Sequence, residues 1–168
     1  MVYLAHFGVA LAEHRGPGGN TVSVVEIAAF RRIGTIDCGA YRRPHDVAFD
    51  GSGRLYILSE GQNTLLIAPD PLTGKITQRI ATGGHGSHIL SVTHDGGVVF
   101  SSNMESNSVS ALFPNTPDRP PVVIPVGSHP ETISQRKSTW AADDPNDGDG
   151  CHDPAGRHSY ELRRFSIV

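Results

Sequence analysis

An all-β fold assembled from repeated four-stranded units is what this 168-residue sequence predicts. Three observations predict it. Turn-forming residues interrupt the chain every eight to ten positions, supplied by 19 Gly and 12 Pro, so no stretch between breakers suits a helix. The runs between them alternate and are rich in Val, Ile, Leu and Tyr, the pattern of half-buried strands. Three segments also repeat. "GGNTVSVVEIAAFRRIGTIDCG", "GQNTLLIAPDPLTGKITQRIATG" and "ESNSVSALFPNTPDRPPVVIPVG" place a marker Asn at Asn20, Asn63 and Asn107 and a closing Ile-x-x-Gly at Ile36/Gly39, Ile80/Gly83 and Ile124/Gly127, a spacing of 43 to 44 residues. Four strands at that pitch make one blade of a β-propeller.

Taken in order, residues of about 2–37 supply the second to fourth strands of a first unit, with Val2 and Leu4 opening it. The second unit is complete: "HDVAF" (45–49), the turn "DGSG", "RLYILS" (54–59), the turn "EGQ", "NTLLIA" (63–68), the turn "PDPLTG" and "KITQRIA" (75–81). A third spans about 88–126, and "HPETI" (129–133) opens a fourth. Asn beside Thr or Ser folds its side chain onto nearby backbone at the tight turn before the third strand. The Gly after each fourth strand lets the chain pass from the rim of one blade to the axis of the next. Residues 134–168 lose the alternation until "ELRRFSIV" and read as a poorly ordered tail. The expected organisation is an incomplete propeller of about three blades over 1–133, with junctions near 39–45, 83–88 and 127–131, followed by an irregular C-terminal tail.

Composition excludes several classes. With 38% hydrophobic and 18% charged residues the chain is globular. A net charge of −3 without a basic patch argues against a nucleic-acid partner. No apolar run reaches the ~20 residues of a membrane helix. The N-terminus lacks the basic region of a signal peptide, so the chain as written reads as cytoplasmic. Cys38 and Cys151, 113 residues apart, form no framework and read as free thiols. No nucleophile elbow, P-loop or dinucleotide fingerprint occurs.

The units look like the YVTN-type repeats of YncE-like β-propellers. "PHDVAFDGSGRLYILSEGQNTLLIAPDPLTGKI" is similar to that family's succession of Pro, inner strand, Asp-Gly, Tyr-containing strand, Asn-Thr and Thr-Gly-Lys. "TGGHGSHILSVTHDGGVVFSSNMESNSVSAL" and "PVGSHPETI" resemble the openings of the following blades, so the match covers about residues 2–133. The resemblance implies a ring of usually seven blades, roughly twice this length or more, and relatives that are often exported. A truncated product is one expectation that follows.

The histidine-rich "TGGHGSH…SVTH" suggests a metal box. Six strand residues separate His88 from His94, about 20 Å, so the two cannot share an ion. His94 belongs to the hairpin turn "THDGG". His85 and His88 alone, as H-x-x-H among glycines, lack further ligands. Aligned blade openings are more informative. Pro44-His45, Ser87-His88 and Pro130-Glu131 recur at a pitch of 43, which places His45, His88 and Glu131 in an arc at one mouth of the central channel. Two His and a carboxylate suit a divalent metal or acid–base work, and equally polar residues beside a wet channel. The tail segment "DDPNDGDGCHD" departs from a calcium loop, with Pro145 or Gly148 at ligand positions.

The function expected is therefore non-enzymatic binding of a small molecule or protein through the loops near 40–45, 84–88 and 128–131. No cofactor is expected beyond a candidate divalent metal. The alternatives are a metal-dependent hydrolase of the lactonase kind and a fragment without its own activity, self-associating through unclosed blade edges.

Overall fold

The computed structural model describes residues 1–8 and 16–135. Among them the architecture is all-β, with eleven strands in three antiparallel sheets. Blade 1 comprises β1 (Val2–His6), β2 (Thr21–Glu26) and β3 (Arg31–Asp37), in the order β1-β2-β3. Blade 2 runs β4 (Pro44–Phe49), β5 (Leu55–Ser59), β6 (Thr64–Ala68) and β7 (Gln78–Ala81). Blade 3 runs β8 (Ser87–Val92), β9 (Val99–Asn103), β10 (Ser108–Leu112) and β11 (Val122–Pro125). This is a partial β-propeller of the expected pitch.

Blade 2 shows why the pattern folds this way. All five residues of β5 and all five of β6 are buried, because both faces of the sheet are covered. Leu55, Ile57, Leu66 and Ala68 pack with Val22, Val24, Ile36 and Cys38 of blade 1. The alternate residues Tyr56, Leu58, Leu65 and Ile67 pack with Leu90, Val99 and Leu112 of blade 3. Period-2 alternation thus divides one strand between two cores. Each fully buried aliphatic side chain contributes roughly 1.5–3 kcal/mol. In blade 1, Ile33 of β3 and Ile27 and Phe30 of the β2–β3 turn are exposed among the described residues.

The repeat extends into the backbone. Left-handed conformations recur at Arg43, Gly86 and His129 (φ 53°, 65° and 50°), and at Asn63 and Asn107 (φ 48° and 50°). The first set directly precedes each blade opening. Gly86 admits no side chain there, since a Cβ would strike the Glu105 backbone and side chain. The Asn pair acts across the blade junction: Asn63 Oδ1 accepts from the Ser87 amide at 3.1 Å, and Asn107 Oδ1 from the His129 amide at 3.1 Å.

Two expectations differ in detail. β7 begins at Gln78 rather than Lys75, and residues 129–133 form no strand. A blade's first strand pairs with its second, as β4 does with β5 and β8 with β9, whereas 129–133 join none of the three sheets and the outer edge of β1 has no strand beside it among the described residues. The proposed tail lies outside the described residues beyond Gln135, as does Cys151. Among the described residues no helix is long and apolar enough to cross a membrane.

Candidate functional site

The two blade openings converge on one group. His45, Glu60 and His88 each present a ligand atom, and the three atoms lie within 4.8 Å of one another. All three residues are half-buried.

Strand irregularities aim the histidines. The β4–β5 register slips between Pro44 and Asp46, which leaves His45 without a cross-strand partner. The β8–β9 register slips between Ser87 and Leu90, which releases His88 likewise. Such bulges turn a side chain out of the regular alternation. The freed backbone is repaired from the neighbouring blade: Asp46 Oδ2 accepts the Leu90 amide at 2.9 Å, so the first carboxylate of β4 stitches β8 against it. The imidazoles of His45 and His88 come to rest with ring centroids 3.7 Å apart, tilted by 40°.

Glu60 follows β5 and starts the turn into β6. Its amide donates to the Arg43 carbonyl at 3.0 Å, which anchors the turn beside the blade-2 opening. Its two oxygens then face different partners. Oε2 accepts from Nδ1 of His88 at 3.3 Å, and Oε1 lies 4.0 Å from Nη1 of Arg43. Arg43 is itself held by the Gly16 carbonyl at 3.1 Å and stacks over Phe7 at 5.5 Å. Phe7 also meets His45 edge-on, with centroids 5.4 Å apart.

Burial lowers the His45 pKa from its ordinary value, and the neighbouring His88 lowers it further, against the opposing pull of Glu60, Asp46 and the His88 backbone. Its Nδ1 is buried and has no hydrogen-bond partner. Buried polar atoms are nearly always paired, so one that is not points to a missing partner. The cluster has two imidazoles and a carboxylate, all half-buried. That set can hold a cation, relay a proton or hydrogen-bond a polar ligand.

Of the residues singled out in the sequence, His45 and His88 are brought together. Glu131 is exposed and stands outside this group. His85 is exposed and serves through its carbonyl, which accepts the amides of Glu105 and Ser106. His94 occupies the exposed turn after β8, with its carbonyl accepting the Gly51 amide at 2.7 Å. Glu60 was missed by reading repeats, because the equivalent turn position in blade 3 is Met104. The signal that finds it is pairing. Ser59 stands opposite Pro44, so the residue after Ser59 must lie beside the blade-2 opening. Elsewhere, the groove between blades 1 and 2 lined by Val24, Ile33, Leu72 and Thr73 carries no titratable side chain.

No protein-family model matches the chain, and no curated protein does. Solved structures do resemble it. A protein of unknown function from Desulfotomaculum acetoxidans is 20% identical with a TM-score of 0.53, over 66% of this chain and 36% of that one. The dihydro-heme d1 dehydrogenase NirN is 20% identical with a TM-score of 0.51, over 65% and 22%. A putative 6-phosphogluconolactonase from Bacteroides fragilis is 17% identical with a TM-score of 0.50, over 64% and 34%. The matched region thus spans about a third or less of those chains. These neighbours are β-propeller proteins, and at such identities they show the fold alone: the described chain is part of a β-propeller.

Proposed function

We propose that the chain is a non-enzymatic binding module whose ligand contacts the blade-opening surface at His45, Glu60 and His88, and that its repeats are of the YVTN type. The observation that carries the binding reading is the buried, partnerless Nδ1 of His45, a residue of a polar group drawn from two blades. A purely structural cluster saturates its hydrogen bonds, because an unpaired buried polar atom costs about 1–3 kcal/mol. A binding site keeps such an atom for its ligand. The three side chains are half-buried, which suits the polar group of a small molecule better than a flat protein face.

Saturation-transfer NMR tests this with a mixed library of small carboxylates, phosphates and amides, in buffer containing EDTA. The expected result is a set of ligands whose signals vanish with His45→Ala or Glu60→Gln and persist with the exposed His94→Ala. Library binding that is equal in all four proteins, or absent from the wild type, overturns the reading.

A further inference from the structure

We propose that His45, Glu60 and His88 form a site for one divalent transition-metal ion of the zinc type, a claim that rests on the reading of this cluster as the ligand site. The donor set is two ring nitrogens and one carboxylate oxygen. Imidazole selects zinc, cobalt, nickel, copper or iron over magnesium and calcium, which require mostly oxygen. Donors on one such ion sit ~2.0–2.2 Å from it, hence about 3.3–3.6 Å from each other in a tetrahedron. The His88 Nδ1 to Glu60 Oε2 separation is already 3.3 Å. The widest separation, within 4.8 Å, exceeds that spacing by little more than about 1 Å.

Three features distinguish this from a simple His–Glu pair. A pair satisfies His88 and Glu60 but leaves His45 pressed against His88 at 3.7 Å with a buried nitrogen unpaired. An ion gives both imidazoles one shared partner and makes their close approach favourable. The carboxylate is also oriented from behind, since Arg43 lies against Oε1 while Oε2 faces the histidines. Supports of that kind fix ligating carboxylates in metal sites. Finally, the donors come from two blades that pack on each other through Asp46 and Leu90, so the scaffold and not a loose loop sets their spacing. Three protein donors leave a fourth position open for water or for a ligand oxygen, the arrangement of sites that exchange ligands.

The test uses the whole chain, freed of metal by chelation and titrated with Co²⁺ while the visible d–d absorption is followed. The expected result is an intense band that saturates at about one ion per chain and is bleached by Zn²⁺. Glu60→Gln preserves shape and serves as the primary variant, with His45→Ala and His88→Ala beside it. Each is expected to weaken binding by more than roughly 100-fold, since loss of a supporting group alone costs 10–100-fold. His85→Ala and His94→Ala leave the titration unchanged. Absence of the band, or a band that survives Glu60→Gln and His88→Ala, overturns the metal site. The library screen in EDTA is independent of metal: if it succeeds where Co²⁺ fails, only the metal inference falls, and if both fail the binding reading falls with it.

Discussion

The spacing of the His pair depends on how blade 2 is clamped to blade 3, and Asp50 is the centre of that clamp. Its carboxylate is buried. Oδ1 accepts the Ser52 amide (2.9 Å), the Ser52 hydroxyl (2.7 Å) and the Arg54 amide (3.1 Å). Oδ2 accepts Nε of Arg54 (2.6 Å) and the hydroxyl of Tyr56 (2.9 Å). Arg54 then reaches into blade 3, donating to the Gly96 carbonyl at 3.3 Å and to Asn115 Oδ1 at 3.1 Å. Asp50→Ala leaves the Tyr56 hydroxyl unpaired in a fully buried residue, at about 1–3 kcal/mol. It also breaks a partly buried charge pair, a further ~2 kcal/mol once solvent access to Arg54 is allowed for. The expected loss is about 3–5 kcal/mol out of a typical 5–15, measured by urea denaturation. Tyr56→Phe alone is expected to cost about 1 kcal/mol, and in the Asp50→Ala background to recover part of the loss, since it removes the hydroxyl left unpaired there.

The same residue sets a pH dependence whose sign can be worked out. Burial alone raises the Asp50 pKa, but hydrogen bonds from Ser52, Arg54 and Tyr56 outweigh it and hold the carboxyl well below the usual range. Between the folded value and the unfolded ~3.9, the unfolded chain carries the extra proton, so stability rises with pH there. The contribution is complete above about pH 5 and is lost as pH falls below about 4. The stability gap between wild type and Asp50→Asn is therefore expected to shrink as the denaturation is repeated toward acid. A gap that stays constant, or an Asp50→Ala loss under about 1 kcal/mol, refutes the reasoning.

Three further outcomes follow from single positions. Phe30 is 87% exposed and holds a left-handed φ of 49°, so Phe30→Gly is expected to raise the urea midpoint by up to about 1 kcal/mol equivalent. Gly84 lies against the fully buried Asn103, which a Cβ would strike; Gly84→Ala is expected to cost about 1–3 kcal/mol, read from the thermal midpoint. Burial first, then Asp37, pushes the Cys38 thiol up to about 11, so in a Cys151→Ser background the native protein is expected to resist an aromatic disulfide reagent that reacts promptly after denaturation.

What the sequence disclosed and what it hid have one physical cause. Repeats report positions that every blade must solve alike. The left-handed residue before each opening appears as Arg43, Gly86 and His129, and the Asn that stitches each junction as Asn63 and Asn107. The pitch therefore located the strands, and His45 and His88 of adjacent openings lie together. It also promoted Glu131, on the premise that equivalent positions converge. Adjacent openings do meet through the β4–β8 contact, whereas Glu131 stays exposed. The carboxylate that joins the histidines is supplied by a turn, at the position where blade 3 has Met104. A site needs asymmetry that a repeat cannot supply, so its distinguishing residue is found where one blade departs from the next. By the same reasoning Met104→Glu is expected to place a second carboxylate beside the blade-3 opening, whose Gly86 carbonyl already accepts the Met104 amide at 2.9 Å. Position 131 supplies Glu where the other openings have His, so the variant is expected to add no second Co²⁺ equivalent; a second equivalent would show that a turn carboxylate suffices without paired histidines.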